Sequence, residues 1–176
     1  MELQWKESRK ILRKGRATLL LHTELPHAQD CAEQIIACYD KAARAIEAYA
    51  TNTLLPKLEM ELAEAPRKSR LHWKMPTLSL LCRGELVKDR WLSIVLTLQR
   101  DEQEQSLREY RVWDCQTGQL CPLEFFVPRK IARGYHRWSF FFKDDIVWGI
   151  NLRKVGNDFG RDQKAIGKMK ELPGHY

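Results

Sequence analysis

Alternating apolar and polar positions recur along the chain and predict several strands, because period-two alternation places one set of side chains on a buried face. Pro26 closes the first of these stretches, since proline cannot donate to a strand ladder. Asp144-Asp145 separates the last two and predicts a two-residue hairpin turn. The predicted strands are Thr18–His22, Leu78–Cys82, Trp91–Leu98, Leu107–Trp113, Trp138–Lys143 and Ile146–Leu152.

A long amphipathic helix is predicted after the first strand. Pro56 is expected to kink or end it, and a continuation would run to Ala65-Pro66. Because no second helix of comparable length is predicted, the apolar stripe needs a sheet to cover it. The stripe recurs every three or four residues, at Cys31, Ile35, Tyr39, Ala42, Ile46, Tyr49 and Thr53.

Together these elements predict a single α+β domain over residues 1–152. In it, one long N-terminal helix packs on an antiparallel β-sheet meander of about five to seven strands. Residues 153–176 differ in composition, because they are polar, basic and punctuated by glycine. We predict that they form a tail that is mobile or binds a partner.

The charge of the chain favours acidic partners. Its 176 residues carry a net charge of +7, and 44% of them are hydrophobic, which is typical of a globular protein. The charge is uneven: residues 24–64, which include the helix, are net acidic, whereas residues 1–16, 67–90 and 129–137 are net basic. An acidic helix on a basic sheet would neutralise part of this charge.

The cysteines and the N-terminal segment indicate the cellular compartment of the protein. Five cysteines with irregular spacing do not suggest a disulfide framework. Residues 1–16 lack the uncharged apolar segment of a signal peptide, and no apolar run is long enough to cross a bilayer. We therefore expect a reduced, cytoplasmic protein without membrane insertion.

Two motifs in the second half of the chain carry a family resemblance. The first is TGQLCPLEFF, where Asp114, Thr117, Gly118, Leu120, Leu123, Glu124 and Phe125 or Phe126 match the family pattern. The second is RWSFFFKDDIVWGINL, where the matches are Phe140, Phe142, Asp145, Ile146, Val147 and Ile150. With the preceding strand and helix, the chain resembles the DUF3298/DUF4163 (RsiV-like) domain over roughly residues 17–152.

The resemblance implies an architecture rather than a site. It implies an antiparallel sheet packed against a helix and used for binding rather than for chemistry. The family occurs in the ectodomains of lysozyme-sensing anti-sigma factors, but from these residues we expect neither their membrane anchor nor their secretion signal. Its connection between the two motifs, Val127–Arg137, is also shorter than in the family. Lysozyme binding and individual site residues are therefore not carried over.

The sequence contains no recognisable catalytic or metal-binding motif. It has no nucleophile elbow, phosphate-binding loop or dinucleotide fingerprint. The histidines are scattered, and Cys115 and Cys121 are too far apart for a typical zinc pair. We predict no catalytic residues, no metal site and no small-molecule cofactor, and we expect that the protein is not an enzyme.

The remaining hypothesis is a binding module, with a protein partner or self-association as its function. One helix covers one sheet face, so Trp91, Trp113 and Trp148 cannot obviously all be buried, and exposed tryptophan marks a partner surface. An alternative is single-stranded nucleic-acid binding through residues 129–138, where basic and aromatic residues interleave. A second alternative is an enzyme of unrecognised class. The candidate binding residues are Trp113, Arg129, Lys130, Arg133, Tyr135, Arg137, Trp138 and Trp148.

Overall fold

The computed structural model describes residues 3–27, 32–101, 106–155 and 158–168.

The first two strands of the fold pair with each other. β1 (Gln4–Lys14) and β2 (Ala17–His27) run antiparallel around a tight turn at Gly15, whose φ is +58°. Within β1 only Leu12 is buried, whereas β2 alternates between buried and half-buried positions. β1 is therefore an edge strand, and β2 contributes to the core.

The predicted helix is present and is interrupted before Pro56. It consists of α1 (Glu33–Tyr49), a π-helical turn (Ala50–Leu54) and α2 (Leu55–Glu64). Pro56 lies in the first turn of α2, directly after the π-helical turn. The wider π turn before it accommodates the proline, so the chain continues as a helix instead of ending.

The main sheet has five strands in the order β1-β2-β3-β4-β5. A short helix, α3 (Arg67–Leu71), precedes β3 (Thr77–Val87), and β4 (Trp91–Arg100) and β5 (Leu107–Asp114) complete the sheet. β3 lies parallel to β2, and the other neighbouring strands are antiparallel. The parallel pair arises because the helical segment carries the chain back across the sheet before β3 begins.

The helical layer covers one face of this sheet and forms two parts of the core. Near the β1–β2 turn, the buried residues of α2 pack on Leu12, Leu19 and Leu78. Near the start of α1, Ile35 and Tyr39 pack on the strand residues Cys82, Leu92, Ile94 and Trp113. The apolar stripe predicted from the sequence is therefore buried against the sheet, as its helical period requires.

A second, three-stranded sheet covers part of the opposite face. β6 (Ser139–Lys143), β7 (Ile146–Val155) and β8 (Asp158–Lys168) are antiparallel in that order. The β6–β7 turn is Asp144-Asp145, as predicted, and both residues have positive φ. Such angles suit a tight hairpin turn between right-twisted strands.

The two sheets meet in an aromatic cluster and at one hydrogen bond. Trp91 of β4 contacts Phe126 edge-to-face, and Phe126 contacts Phe142 of β6 in the same way. The backbone N–H of Phe142 donates to the Ser93 hydroxyl at 2.9 Å in a buried position. The end of the first motif, together with Val127 and Ala132 of the connection after it, thus packs in the core between the sheets.

The single α+β domain and its antiparallel character are confirmed, with several differences. The helix follows two strands and is not N-terminal, and the strands form two sheets with one parallel pair. Beyond Leu152, where the predicted domain ends, β7 continues to Val155 and Asp158–Lys168 pairs along it. Ile166 of β8 packs against the aromatic cluster. The predicted tail beyond residue 168 lies outside the described residues.

Candidate binding surface

A short helical segment places four positive charges on the surface. It is the basic connection, residues 128–138, which comprises α4 (Arg129–Ala132), a 3₁₀ turn (Arg133–Tyr135) and the residues up to Trp138. Ala132 is buried and fixes the segment to the protein. Its basic side chains are exposed, and none forms an ion pair with a residue that the structure describes: Arg129, Lys130, Arg133 and Arg137.

Two aromatic residues hold the C-terminal end of the basic connection against the second sheet. The rings of Tyr135 and Trp138 meet edge-to-face with centroids 5.1 Å apart. They lie over Gly149 of β7, where an added Cβ would come within 3.0 Å of the Trp138 ring. Both rings are half-buried. Their faces are therefore used for packing, and glycine is required where they approach the strand.

The structure brings six of the eight candidate residues together in the basic connection and places the two remaining tryptophans elsewhere. Trp113 is 6% exposed and its Nε1–H donates to the Tyr39 hydroxyl at 2.8 Å, so it lies in the core between helix and sheet. Trp148 is half-buried beside Phe141. Because successive strand residues point to opposite faces, Trp148 faces away from the Gly149 side that the basic connection covers.

The sheet face opposite the helices is not an open apolar surface. The second sheet and its aromatic cluster cover the end of that face formed by Trp91, Ser93 and Val112. The uncovered end includes the cross-strand pair of Ile11, which is 48% exposed, and Leu20, with charged residues beside them. Because apolar and charged side chains lie beside each other on this uncovered part of the sheet, it does not resemble the apolar centre of an obligate interface.

Most of the groups with shifted pKa values are buried and unreactive at neutral pH. Burial raises the pKa of the Cys82 thiol to about 12 and that of Cys121 to about 11, so both remain protonated at neutral pH. Burial also raises the pKa of Tyr39. Burial by itself raises the pKa of Asp114, but hydrogen bonds from Arg90 and from the Gln116 backbone N–H outweigh it and lower the pKa. These groups stabilise the fold and do not form a reactive cluster.

One cluster on the uncovered sheet face has metal-ligand chemistry. Glu7 lies opposite Glu24, and His22 Nε2 is 3.1 Å from a Glu7 carboxylate oxygen and 3.7 Å from a Glu24 oxygen. The sequence motifs did not reveal this cluster. His22 and Glu24 have only a His-x-Glu spacing on one strand, and Glu7 joins them from the neighbouring strand. Arg9 bonds Glu7 at 2.9 Å, and Arg83 bonds Glu24. Two guanidinium groups thus neutralise the two carboxylates, which is the arrangement of an ion-pair network.

The fold, rather than the sequence, connects this chain to known proteins. The crystal structure of a DUF3298 family member from Bacteroides fragilis matches it with a TM-score of 0.58, covering 99% of this chain and 94% of that chain at 8% identity. The fold is that of a DUF3298 protein. The DUF3298 resemblance carried by the two motifs is therefore confirmed at the level of the fold.

A second crystal structure, of a DUF3298 family protein from Pseudomonas aeruginosa PAO1, matches with a TM-score of 0.43 and 10% identity, covering 97% of this chain and 93% of that chain. The sequence matches no protein-family model. It also matches no curated protein. Among the described residues, no helix is long and apolar enough to cross a membrane.

Proposed function

We propose that the protein is a non-catalytic cytoplasmic binding module whose basic connection binds an acidic surface of a protein partner. The observation that carries this proposal is the set of four exposed cations on one anchored segment, none paired with a described carboxylate. Complementary charge speeds the encounter of two proteins and selects the partner. A segment fixed by Ala132, Tyr135 and Trp138 loses little conformational freedom when a partner binds.

The aromatic residues favour a protein partner over single-stranded nucleic acid. A single-strand binding site needs exposed ring faces on which bases can stack. Tyr135 and Trp138 instead contact each other and cover Gly149. The basic connection therefore exposes positive side chains but no ring face on which a base could stack. Such a surface is better suited to an acidic protein surface than to single-stranded nucleic acid.

The buried thiols support the non-catalytic and cytoplasmic parts of the proposal. Cys82 and Cys121 have raised pKa values, whereas a nucleophilic cysteine requires a lowered one. Cys38, Cys82 and Cys121 are free, as is usual in a reducing compartment.

A charge-reversal experiment tests the protein-binding proposal. The full chain and the double variant Arg133→Glu/Arg137→Glu are used as baits in the native lysate. The control, Lys41→Glu/Lys57→Glu, changes the net charge equally at exposed positions on α1 and α2. We expect a protein that the wild type and the control retain and that the Arg133/Arg137 variant loses. If both double variants lose it equally, the contact depends on net charge and not on the basic connection.

The nucleic-acid alternative is tested separately by fluorescence anisotropy with a labelled single-stranded oligonucleotide at low and high salt. Phosphate contacts give a steep fall of affinity with salt. We expect no saturable binding at low salt. Tight, salt-sensitive binding that Arg133→Glu/Arg137→Glu abolishes would replace the protein-binding proposal with the nucleic-acid one.

A further inference from the structure

A second basic site lies at the end of the helical layer near the β1–β2 turn. The cleft there has a volume of about 340 Å³, at the lower end of the range of small-molecule sites. We call it the arginine cleft. The lining residues come from the turn, the end of α2, and α3 with the loop after it: Arg16, Leu62, Arg67, Arg70, Leu71 and Trp73.

Local structure brings the three arginines of the arginine cleft together. Arg16 follows Gly15, whose positive φ forms the turn between β1 and β2. Arg67 and Arg70 are three residues apart on α3, so they lie on the same side of that helix. Three arginines from two distant parts of the sequence, the β1–β2 turn and α3, therefore line one cleft.

These arginines lack an anionic partner within the described part of the chain. No carboxylate lines the arginine cleft, and none of the three guanidinium groups forms an ion pair with a described residue. Glu59 lies over Gly15 but is not among the lining residues. Arginines without an anionic partner among the described residues are suited to an oxyanion, because their planar guanidinium groups donate several hydrogen bonds in a fixed geometry.

The other residues that line the arginine cleft are apolar. Leu62 is buried, and Trp73 is half-buried. Leu71 is 75% exposed, although leucine side chains on α-helices usually pack against a neighbour. A ligand with both an anionic and an apolar part would contact both the arginines and the apolar residues.

We propose that the arginine cleft binds a small organic phosphate monoester with an apolar or aromatic group. A phosphate monoester carries close to two negative charges at neutral pH and three terminal oxygens, which matches three arginines better than a carboxylate does. The apolar group lies against Leu71 and Trp73. Two of its arginines, Arg67 and Arg70, belong to the net basic range of residues 67–90, which lies outside the basic connection.

Binding is tested with the full chain, isothermal titration calorimetry and three probes: phenyl phosphate, phenylacetate and inorganic phosphate. We expect phenyl phosphate to bind about tenfold more tightly than inorganic phosphate, which lacks the aromatic group. We expect the same preference over phenylacetate, because a carboxylate carries one negative charge where a phosphate monoester carries close to two. Arg70→Gln should weaken phenyl phosphate binding about tenfold, because it removes a charge-assisted hydrogen bond.

Lys68→Gln is the matched control, since Lys68 is exposed on the same helix but does not line the arginine cleft. It should leave the affinity unchanged, and circular dichroism checks that both variants are folded. The proposal is overturned if no probe binds, if phenylacetate binds as tightly as phenyl phosphate, or if Lys68→Gln weakens binding as much as Arg70→Gln. None of these outcomes bears on the basic connection, so the proposed function is tested independently.

Discussion

At the scale of single residues, the indole of Trp113 has a structural role. It lies between the helical layer and the main sheet, and its Nε1–H donates to the Tyr39 hydroxyl at 2.8 Å, with both side chains buried. A buried N–H without an acceptor is costly, so this pair fixes the position of α1 on the sheet. Sequence alone could identify Trp113 as aromatic but could not show that Tyr39 would satisfy its indole.

Tyr39→Phe should lower the free energy of unfolding by about 1–3 kcal/mol, because it leaves the Trp113 N–H buried without an acceptor. Urea unfolding followed by circular dichroism measures the change. The control Tyr49→Phe removes the hydroxyl of a tyrosine that is 49% exposed and should change stability by less than about 0.5 kcal/mol. Equal effects of the two substitutions would show that the buried hydrogen bond does not stabilise the fold.

Asp114 should make stability depend on pH in the acid range. Hydrogen bonds from Arg90 and the Gln116 backbone N–H lower its pKa in the folded state below the unfolded value, despite its burial. Its stabilising contribution is therefore present above the unfolded pKa and is lost as the pH falls through the folded pKa. Between about pH 6 and about pH 3, Asp114→Asn should reduce the fall in unfolding free energy.

Urea unfolding over the same pH series measures this effect. Asp40→Asn, which alters an exposed carboxyl on α1, is the control and should leave the pH dependence of the wild type in place. A pH dependence in Asp114→Asn that equals that of the wild type would mean that the Arg90 contact does not stabilise the carboxylate.

At the scale of elements, sequence patterning identified the strands with a clear buried face and missed those without one. β4, β5 and the β6–β7 hairpin were predicted because their alternation and turn residues agree with their structure. β1 was missed because its charged residues are exposed and only Leu12 is buried. β8 was missed because Gly160 and Gly167 are typical of loops, yet both pair with β7.

The contact between the two sheets depends on Ser93. Its hydroxyl accepts the backbone N–H of Phe142 in a buried position, which period-two patterning could not reveal because serine there resembles a solvent-facing residue. Ser93→Ala should lower the free energy of unfolding by about 1–3 kcal/mol, measured by urea unfolding. Ser8→Ala, at an exposed position on β1, is the control and should have little effect. A neutral Ser93→Ala variant would show that the sheets are held by apolar contacts alone.

At the scale of the whole molecule, the exposure of the basic connection was more predictable than the positions of the individual aromatic residues. Residues 129–137 were identified from their charge, and the structure places Arg129, Lys130, Arg133 and Arg137 on the surface. Aromatic content alone could not separate Trp113, which is core, from Trp138, which covers Gly149. That distinction depends on which sheet packs against which face, a long-range property that a local pattern does not contain.

The most direct test of the binding-module account is site-specific photo-crosslinking in cells. A photoreactive phenylalanine analogue replaces Ile131, which is 42% exposed in the basic connection, or in the control Tyr49, which has similar exposure on α1. The account predicts a protease-sensitive, nuclease-resistant adduct from position 131 that Arg133→Glu/Arg137→Glu removes and that position 49 does not give. A nuclease-sensitive adduct, the same adduct from both positions, or no adduct at position 131 would contradict it.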